Sequence, residues 1–243
     1  MKLTILGSRA AYSNKNEGCS GYLIQEGDFN LLLDCGSGTI SALQNYIELT
    51  ELDNVILSHY HPDHYSDISI LQHGIMIESM VNNEKNHIYI YGHQDDELFN
   101  KLTYKDYTTG KSYQEDKPLQ LGPLTITFLK THHSAIGYAM KISNGKKEIV
   151  YTSDTAYFDD LVSFSENVDL LLAESSLYPE TDGQQMGHMN STDSANLARN
   201  ANSKKLILTH LPNYGDNQEL LKNAMKIFPG NVKLAYSGYK EEL

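Results

Sequence analysis

Three histidines and an aspartate fall within six positions of the segment 58–64, which reads SHYHPDH and follows a short apolar run. Because alternate side chains of an extended chain share a face, His59, His61 and Asp63 are expected to converge, with His64 at a neighbouring point. Imidazoles and carboxylates bind divalent metals, and this set exceeds what one tetrahedral zinc ion needs. The segment therefore predicts a site for two metal ions.

The alternative is a solvated polar loop with incidental histidines. Neither packing nor solubility accounts for three histidines and an aspartate directly after a strand-like run, so we favour the metal site. Pro62 fixes φ and lacks an N–H donor, which stiffens the loop and suits the first position of a helix.

Four further segments place a potential metal ligand at the end of a strand. The residues concerned are His132 or His133, Asp154, His188 and His210. A single histidine or aspartate in such a place is more often structural. In one chain with the segment 58–64, these residues reinforce the prediction of a metal site.

The elements that position these residues follow from the apolar patterns. Strands are predicted at 2–6, 21–25, 29–34, 54–58, 87–91, 124–130, 137–142, 147–152, 169–173, 205–209 and 232–236. Helices are predicted at 39–48, 66–80, 94–101, 191–202 and 216–227. Gly27-Asp28 and Asn144-Gly145 each separate two apolar runs and predict hairpins. The two halves thus share a plan of hairpins followed by strand–helix units, which is consistent with an internal duplication.

The stretch 102–120 has the weakest pattern and is predicted to be a surface loop or lid. No Pro/Gly/Ser-rich linker divides the chain, so one continuous domain over 1–243 is expected. The two cysteines, Cys19 and Cys35, form no C-x-x-C pair and are expected to be reduced and buried.

Composition excludes several classes of function. The formal charge of −12 argues against a broad nucleic-acid surface, because phosphate backbones are held mainly by Lys and Arg. No apolar stretch approaches the roughly 20 residues of a membrane helix, so no membrane partner is expected. The first residues lack the features of a signal peptide, which makes cytoplasmic residence the expectation. Homodimer formation is left open.

These segments resemble those of the metallo-β-lactamase-fold hydrolases, over essentially the whole chain. The resemblance includes the segments 18–24 (GCSGYLI) and 31–38 (LLLDCGSG). Within that superfamily the sequence looks closest to the ribonuclease Z-like and phosphodiesterase-like branch, because of Asp154-Thr155, the Gly-His-x-x-Ser-Thr element at His188 and Leu-Thr-His at 208–210. The resemblance implies an α/β (α+β) fold, a four-layer αββα sandwich of the metallo-β-lactamase type in a single domain.

The family pattern also implies a set of seven ligands for two metals. They are His59, His61 and His133 for the first metal, Asp63, His64 and His210 for the second, and Asp154 as the bridge. His132 competes with His133, and we prefer His133 because its distance to Gly137-Tyr138 matches the relatives better. Asp34 lies in the family's first acidic motif, whose usual role is to orient the metal-binding loop.

Two divalent ions about 3.5–4 Å apart would activate a shared water and stabilise the charge that develops on the attacked centre. Asp63 can bind metal and accept a proton from that water, and His188 matches a histidine that contacts the scissile phosphate in the ribonuclease Z-like branch. The alternative for His188 is a capping role at the following helix, where Ser191 or Thr192 is the better N-cap. Glu174 is a candidate to orient His188. The N/O ligand set predicts Zn²⁺ first and also admits Mn²⁺ or Fe²⁺.

The leading prediction is a dinuclear metal-dependent hydrolase of a small-molecule phosphodiester, such as a cyclic nucleotide or a small nucleotide-like ester. Only 20 residues separate His133 from Asp154, too few for the long arm with which ribonuclease Z grips tRNA, so tRNA is not the expected partner. Asp154-Thr155-Ala156-Tyr157 resembles the Asp-x-x-Tyr of lactonases, so hydrolysis of a lactone, another carboxylic ester or a thioester is the second reading. The third is a non-catalytic metal-binding protein on the same scaffold.

Overall fold

The computed structural model describes residues 1–243, and the chain forms two compact units. Unit 1 comprises residues 1–114 and 237–242, and unit 2 comprises 115–236 and residue 243. The strands are β1 (Lys2–Arg9), β2 (Gly18–Cys19), β3 (Gly21–Glu26), β4 (Phe29–Leu33), β5 (Asn54–Ile56), β6 (Ile88–Gly92), β7 (Thr108–Ser112), β8 (Leu119–Leu121), β9 (Leu124–Lys130), β10 (Tyr138–Ser143), β11 (Glu148–Tyr151), β12 (Leu170–Glu174), β13 (Lys205–Thr209), β14 (Asn231–Leu234) and β15 (Lys240–Glu242). The α-helices are α1 (Thr39–Leu43), α2 (Pro62–Tyr65), α3 (Ile68–Asn82), α4 (Asp159–Phe164), α5 (Ser191–Asn200) and α6 (Asn217–Ile227). None of these helices is long and apolar enough to cross a membrane.

Each unit is built on one mixed sheet. In unit 1 the strand order is β15-β1-β3-β4-β5-β6-β7, with β2 paired to β1. The pairs from β15 to β4 are antiparallel, and those from β4 to β7 are parallel. In unit 2 the order is β14-β13-β12-β11-β10-β9-β8, antiparallel from β8 to β11 and parallel from β11 to β14. The shared plan of the two halves is confirmed, as are the hairpins at Gly27 and Gly145.

Helices bury one face against each sheet. In α3 the residues Ile68, Leu71 and Ile75 recur at helical spacing and are fully buried in the apolar core of unit 1. In α6 of unit 2, Leu220 and Ala224 lie four positions apart and pack into the second core. Burial of a side chain the size of Ile or Leu stabilises the fold by about 1.5–3 kcal/mol. The helices thereby hold the parallel strands, and the loops at their ends, in place.

The parallel strands explain why the candidate residues gather. Their carboxyl ends lie at one edge of a sheet, where loops leave toward ligands in open α/β sheets. In unit 1, Asp34 follows β4 and the segment 58–64 follows β5. In unit 2, Asp154 follows β11, Glu174 ends β12 and His210 follows β13. In both units, a side chain after one strand also accepts a hydrogen bond from a backbone N–H at the end of the next. The Asp34 carboxylate accepts from the Ser58 N–H, and the Thr152 hydroxyl oxygen accepts from the Glu174 N–H.

The prediction of a surface loop or lid over 102–120 is wrong. This stretch contains β7, which pairs in parallel with β6 at the edge of its sheet, and β8, which pairs with β9. An edge strand has a neighbour on one side only and is commonly polar or charged. The β7 sequence TTGKS therefore lacks the apolar signature that marks inner strands. The predicted cysteine state is confirmed, because Cys19 and Cys35 are buried and form no disulfide.

Candidate metal and catalytic site

The segment 58–64 changes conformation halfway along its length. His59 and His61 place ring nitrogens within 4.8 Å of one another. The chain then turns into α2, with Pro62 at its first position, as expected for a proline that is preorganised for a helix start. Asp63 and His64 therefore lie on a helix, and the expected alternation of an extended chain holds only as far as His61. Within unit 1 the four side chains form two adjacent pairs, since Asp63 Oδ2 is 3.8 Å from His64 Nε2.

Asp34 sets the tautomer of His64. Its buried carboxylate lies 2.7 Å from His64 Nδ1, and it also accepts from the Ser58 N–H at 2.7 Å and the Ser58 hydroxyl at 2.8 Å. A carboxylate at this position accepts the Nδ1 proton, so Nε2 of His64 carries the lone pair that a metal needs. The orienting role that the family resemblance implies for Asp34 matches this geometry.

The Ser58 hydroxyl sets the tautomer of His59. Since the Ser58 hydroxyl donates to Asp34, its oxygen accepts from His59 Nδ1 at 3.1 Å. Nε2 of His59 then carries the lone pair, as in His64. Nothing in the sequence distinguishes Ser58 from an ordinary loop serine, so this part of the site is visible only in the structure.

Asp63 is held by the backbone of a remote loop. The N–H of Ala11, in the loop between β1 and β2, donates to Asp63 Oδ2 at 2.7 Å. Ala11 has φ of 61°, the left-handed region that a residue with a Cβ enters at a cost. The sequence does not indicate this contact, because a backbone donor leaves no signature in residue type.

Asp154 lies between two histidines of unit 2 and presents a different oxygen to each. Its Oδ2 is 3.8 Å from His133 Nε2, and its Oδ1 is 3.4 Å from His210 Nδ1. A carboxylate with its two oxygens directed toward two imidazoles has the form of a bridging ligand. The residue before it, Ser153, and His210 itself both have positive φ, at 54° and 50°. Backbone strain of this kind is concentrated at functional sites.

The structure distinguishes His133 from His132 as the candidate metal ligand. Nδ1 of His133 donates to the carbonyl oxygen of Gly187 at 2.9 Å, so Nε2, which faces Asp154, carries the lone pair. A side chain on Gly187 would place its Cβ 2.8 Å from the Cα of His133, which explains the glycine. The ring of His132 instead stacks on Phe158, with centroids 4.0 Å apart.

His188 is paired with a buried carboxylate. Its Nδ1 is 2.9 Å from Glu174 Oε1, and the other Glu174 oxygen accepts from the Ser176 hydroxyl at 2.7 Å. Burial lowers the pKa of His188, but the hydrogen bond to Glu174 and the negative charges of Glu174 and Asp154 outweigh it, so the pKa is raised. Burial raises the pKa of Glu174, and its contacts with His188 and His210 more than offset this, so the pKa is lowered. Both shifts favour an imidazolium beside a carboxylate.

His188 does not cap α5. The N-cap is Asn190, whose side-chain oxygen accepts from the N–H groups of Thr192 and Asp193, while Asp193 completes a capping box. The prediction of Ser191 or Thr192 as N-cap is therefore wrong. The hydroxyl oxygens of Ser191 and Thr192 accept from Asn223 instead. Because these groups form hydrogen bonds within the protein, we do not expect the start of α5 to bind an anion.

In unit 2 the structure brings together four predicted or suspected residues. The ligand atoms of Asp154, Glu174, His188 and His210 lie within 4.8 Å of one another. The rings of His133 and His188 meet edge to face at 4.8 Å, and those of His188 and His210 stack at 5.8 Å. With the two pairs of unit 1, the donors are imidazole nitrogens and carboxylate oxygens, a set that suits divalent ions such as zinc, manganese and ferrous iron.

Known proteins resemble this chain over most of its length. The chain matches the model of the beta-lactamase superfamily domain over residues 29–211, which span parts of both units. It is 45% identical over 240 residues, 98% of each chain, to the probable metallo-hydrolase YhfI of Bacillus subtilis (strain 168). It is 25% identical, in a gapped alignment of 283 positions that covers 96% of each chain, to a ribonuclease Z of Saccharolobus solfataricus.

Solved structures are similar as well. The crystal structure of the metallo-beta-lactamase fold protein YhfI from Bacillus subtilis superposes with a TM-score of 0.98 at 46% identity, covering 100% of this chain and 99% of the other. A diphosphatase from the PhnP family has a TM-score of 0.79 at 17% identity, covering 100% and 97%, and this likeness concerns the fold alone.

Proposed function

We propose a substrate for this chain from the premise that it belongs to the beta-lactamase superfamily, has the metallo-β-lactamase fold and is a metal-dependent hydrolase. The bond it cleaves, in this proposal, is a phosphodiester of a small molecule such as a cyclic nucleotide or a small nucleotide-like ester. The proposed cofactors are two divalent metal ions, of which Zn²⁺ is the first candidate.

The ligands proposed for the two ions are five histidines and two aspartates. His59, His61 and His133 would hold one ion, Asp63, His64 and His210 would hold the other, and Asp154 would serve both. The lone pairs of His59, His64 and His133 on Nε2, and the two differently directed oxygens of Asp154, support this assignment. Such a pair of ions, when bound, lowers the pKa of a water and stabilises negative charge on the reacting centre.

The protein's own groups handle the protons. Asp63, fixed by the Ala11 N–H, accepts a proton from the attacking water. His188, aligned by Glu174, gives a proton from Nε2 in its protonated form to the oxygen that leaves. The observation that carries the choice of a phosphodiester is the Glu174–His188 pair, in which Glu174 Oε1 lies 2.9 Å from His188 Nδ1. A hydrogen bond from a protonated imidazole is stronger to a charged phosphodiester oxygen than to a neutral lactone.

The relatives support the same choice, because a ribonuclease by its name cleaves phosphodiesters. tRNA is not the proposed substrate: the residues between His133 and Asp154 form only the β10–β11 hairpin, and the charge of −12 disfavours a long nucleic acid. No observation favours the lactonase reading. The hydroxyl oxygen of Tyr157 accepts from the exposed Asn200 at 3.0 Å and is thereby engaged at the end of α5.

A hydrolysis panel tests this proposal. Metal-loaded protein is expected to cleave bis(p-nitrophenyl) phosphate faster than it opens an acyl lactone or cleaves a p-nitrophenyl thioester. Tyr157→Phe is expected to retain phosphodiester activity within about twofold, because only a hydrogen bond to Asn200 is lost. Lactone opening without phosphodiester cleavage, abolished by Tyr157→Phe, would overturn the proposal in favour of a lactonase.

A further inference from the structure

Several exposed apolar side chains of unit 2 lie on the loops that also carry residues of the candidate site. The large apolar residues that are exposed in this unit are Ile136, Met186, Tyr214, Met225 and Tyr236. Ile136 follows His133 by three residues, Met186 precedes His188 by two, and Tyr214 follows His210 by four. Only Met225 lies on a helix. Single exposed apolar residues are normal at a protein surface, but three of these five lie on loops that carry site residues, where contacts with a substrate are expected.

The loops that carry these side chains are held in place. The loop of Ile136 is closed by a hydrogen bond from the Thr131 N–H to the Gly137 carbonyl oxygen at 3.0 Å. The loop of Met186 is a tight turn in which the N–H groups of Met186 and His188 both donate to the carbonyl oxygen of Gly183. The backbone of these loops is therefore fixed before a ligand binds, which lowers the entropy that binding costs.

The loop of Tyr214 is fixed by an aromatic neighbour. The buried Tyr178 donates its hydroxyl to the Tyr214 carbonyl oxygen at 2.9 Å, and the two rings lie 5.6 Å apart. Gly215, with φ of 70°, leaves no room for a side chain, since a Cβ there would clash with the Tyr178 hydroxyl. The backbone is thus locked while the Tyr214 side chain is 61% exposed.

We propose that Ile136, Met186 and Tyr214 form a specificity rim that binds an aromatic group of the substrate, of the class of a nucleobase or an aryl ring. The inference rests on the proposed function for the placement of the phosphate and narrows the substrate to esters that carry such a group. Aromatic and thioether side chains suit this role, because a base can stack on a tyrosine ring and a methionine side chain adapts to its edge.

Binding, which does not depend on turnover, tests the rim. Titration calorimetry on the metal-loaded protein compares AMP with ribose 5-phosphate, which differ by the base alone. We expect AMP to bind at least about tenfold more tightly, within the range known for stacking of one base. Tyr214→Ala and Met186→Ala are each expected to weaken AMP binding at least about threefold while the affinity for ribose 5-phosphate is unchanged. Tyr214→Phe should keep the wild-type preference.

Met225→Ala is the matched control, because Met225 is 54% exposed and Met186 52%, and it should leave both affinities unchanged. Equal affinities of the wild-type protein for the two ligands, or an AMP affinity unaffected by both alanine variants, would overturn the rim. Failure of the proposed function looks different: the protein would then prefer AMP in the calorimeter yet leave phosphodiesters intact in the hydrolysis panel.

Discussion

Replacing His188 by alanine is expected to lower turnover of bis(p-nitrophenyl) phosphate by two or more orders of magnitude, with normal metal content. A positioned proton donor contributes roughly 10²–10⁴-fold to such reactions. Glu174 lies 2.9 Å from Nδ1 of His188 and raises its pKa despite burial, which favours the protonated form that can donate from Nε2. Removal of His188 should therefore lower kcat and leave the seven proposed metal ligands in place. Steady-state kinetics with parallel elemental analysis measures both quantities.

His132→Ala is the control for this variant. It removes a second imidazole from unit 2, but one that stacks on Phe158 and lies outside the proposed ligands. It should change neither kcat nor metal content by more than about twofold. Lost metal in the His188 variant would make that residue a ligand, and unchanged activity would leave it without a catalytic role.

The exchange Asp34→Asn is expected to weaken metal binding by roughly 10- to 100-fold, the usual effect of losing the group that orients a ligand histidine. The Asp34 carboxylate accepts three hydrogen bonds, from the Ser58 N–H, the Ser58 hydroxyl and His64 Nδ1. An asparagine keeps one acceptor and turns an amide donor toward the other two groups. His64 would then favour the tautomer with its proton on Nε2, which cannot bind the ion.

The fold should tolerate this exchange, because asparagine readily adopts the φ of 56° found at residue 34. Asp53→Asn serves as the control, since its carboxylate also accepts a backbone N–H, from Asn30, but at the start of β5. Chelator competition gives the metal affinity, and circular dichroism checks the fold. Equal metal affinity in the Asp34 and Asp53 variants would show that the tautomer of His64 does not depend on Asp34.

Sequence patterns located most of this architecture because buried strands and amphipathic helices carry apolar periodicity. The segment 205–209 was predicted as a strand and forms one with the same bounds, since it is buried between two neighbouring strands. The strands β7 and β15 lie at sheet edges, where polar and charged residues suffice, and their sequences TTGKS and KEE look like loops. The short helix α4, DDLVSF, has too few turns to show a period.

The residues of the candidate site also differ in how well the sequence reveals them. Residue types that can bind a metal, such as His59 and Asp154, are recognisable from sequence because packing gives no other reason for them. The groups that orient these ligands are harder to recognise from the sequence. The carbonyl oxygen of Gly187 and the N–H of Ala11 are backbone atoms, and any residue type could supply them. The helix start at Asn190 shows a related limit, because Asn, Ser and Thr are all good N-caps and stand side by side there.

The proposed enzyme needs two metal ions to cleave a phosphodiester. Titration of metal-free protein with Zn²⁺, with hydrolysis of bis(p-nitrophenyl) phosphate followed at each step, tests this requirement. We expect activity to rise until two equivalents per chain are bound and not to rise beyond. Full activity with a single equivalent, or no phosphodiester cleavage with two equivalents bound, would contradict it.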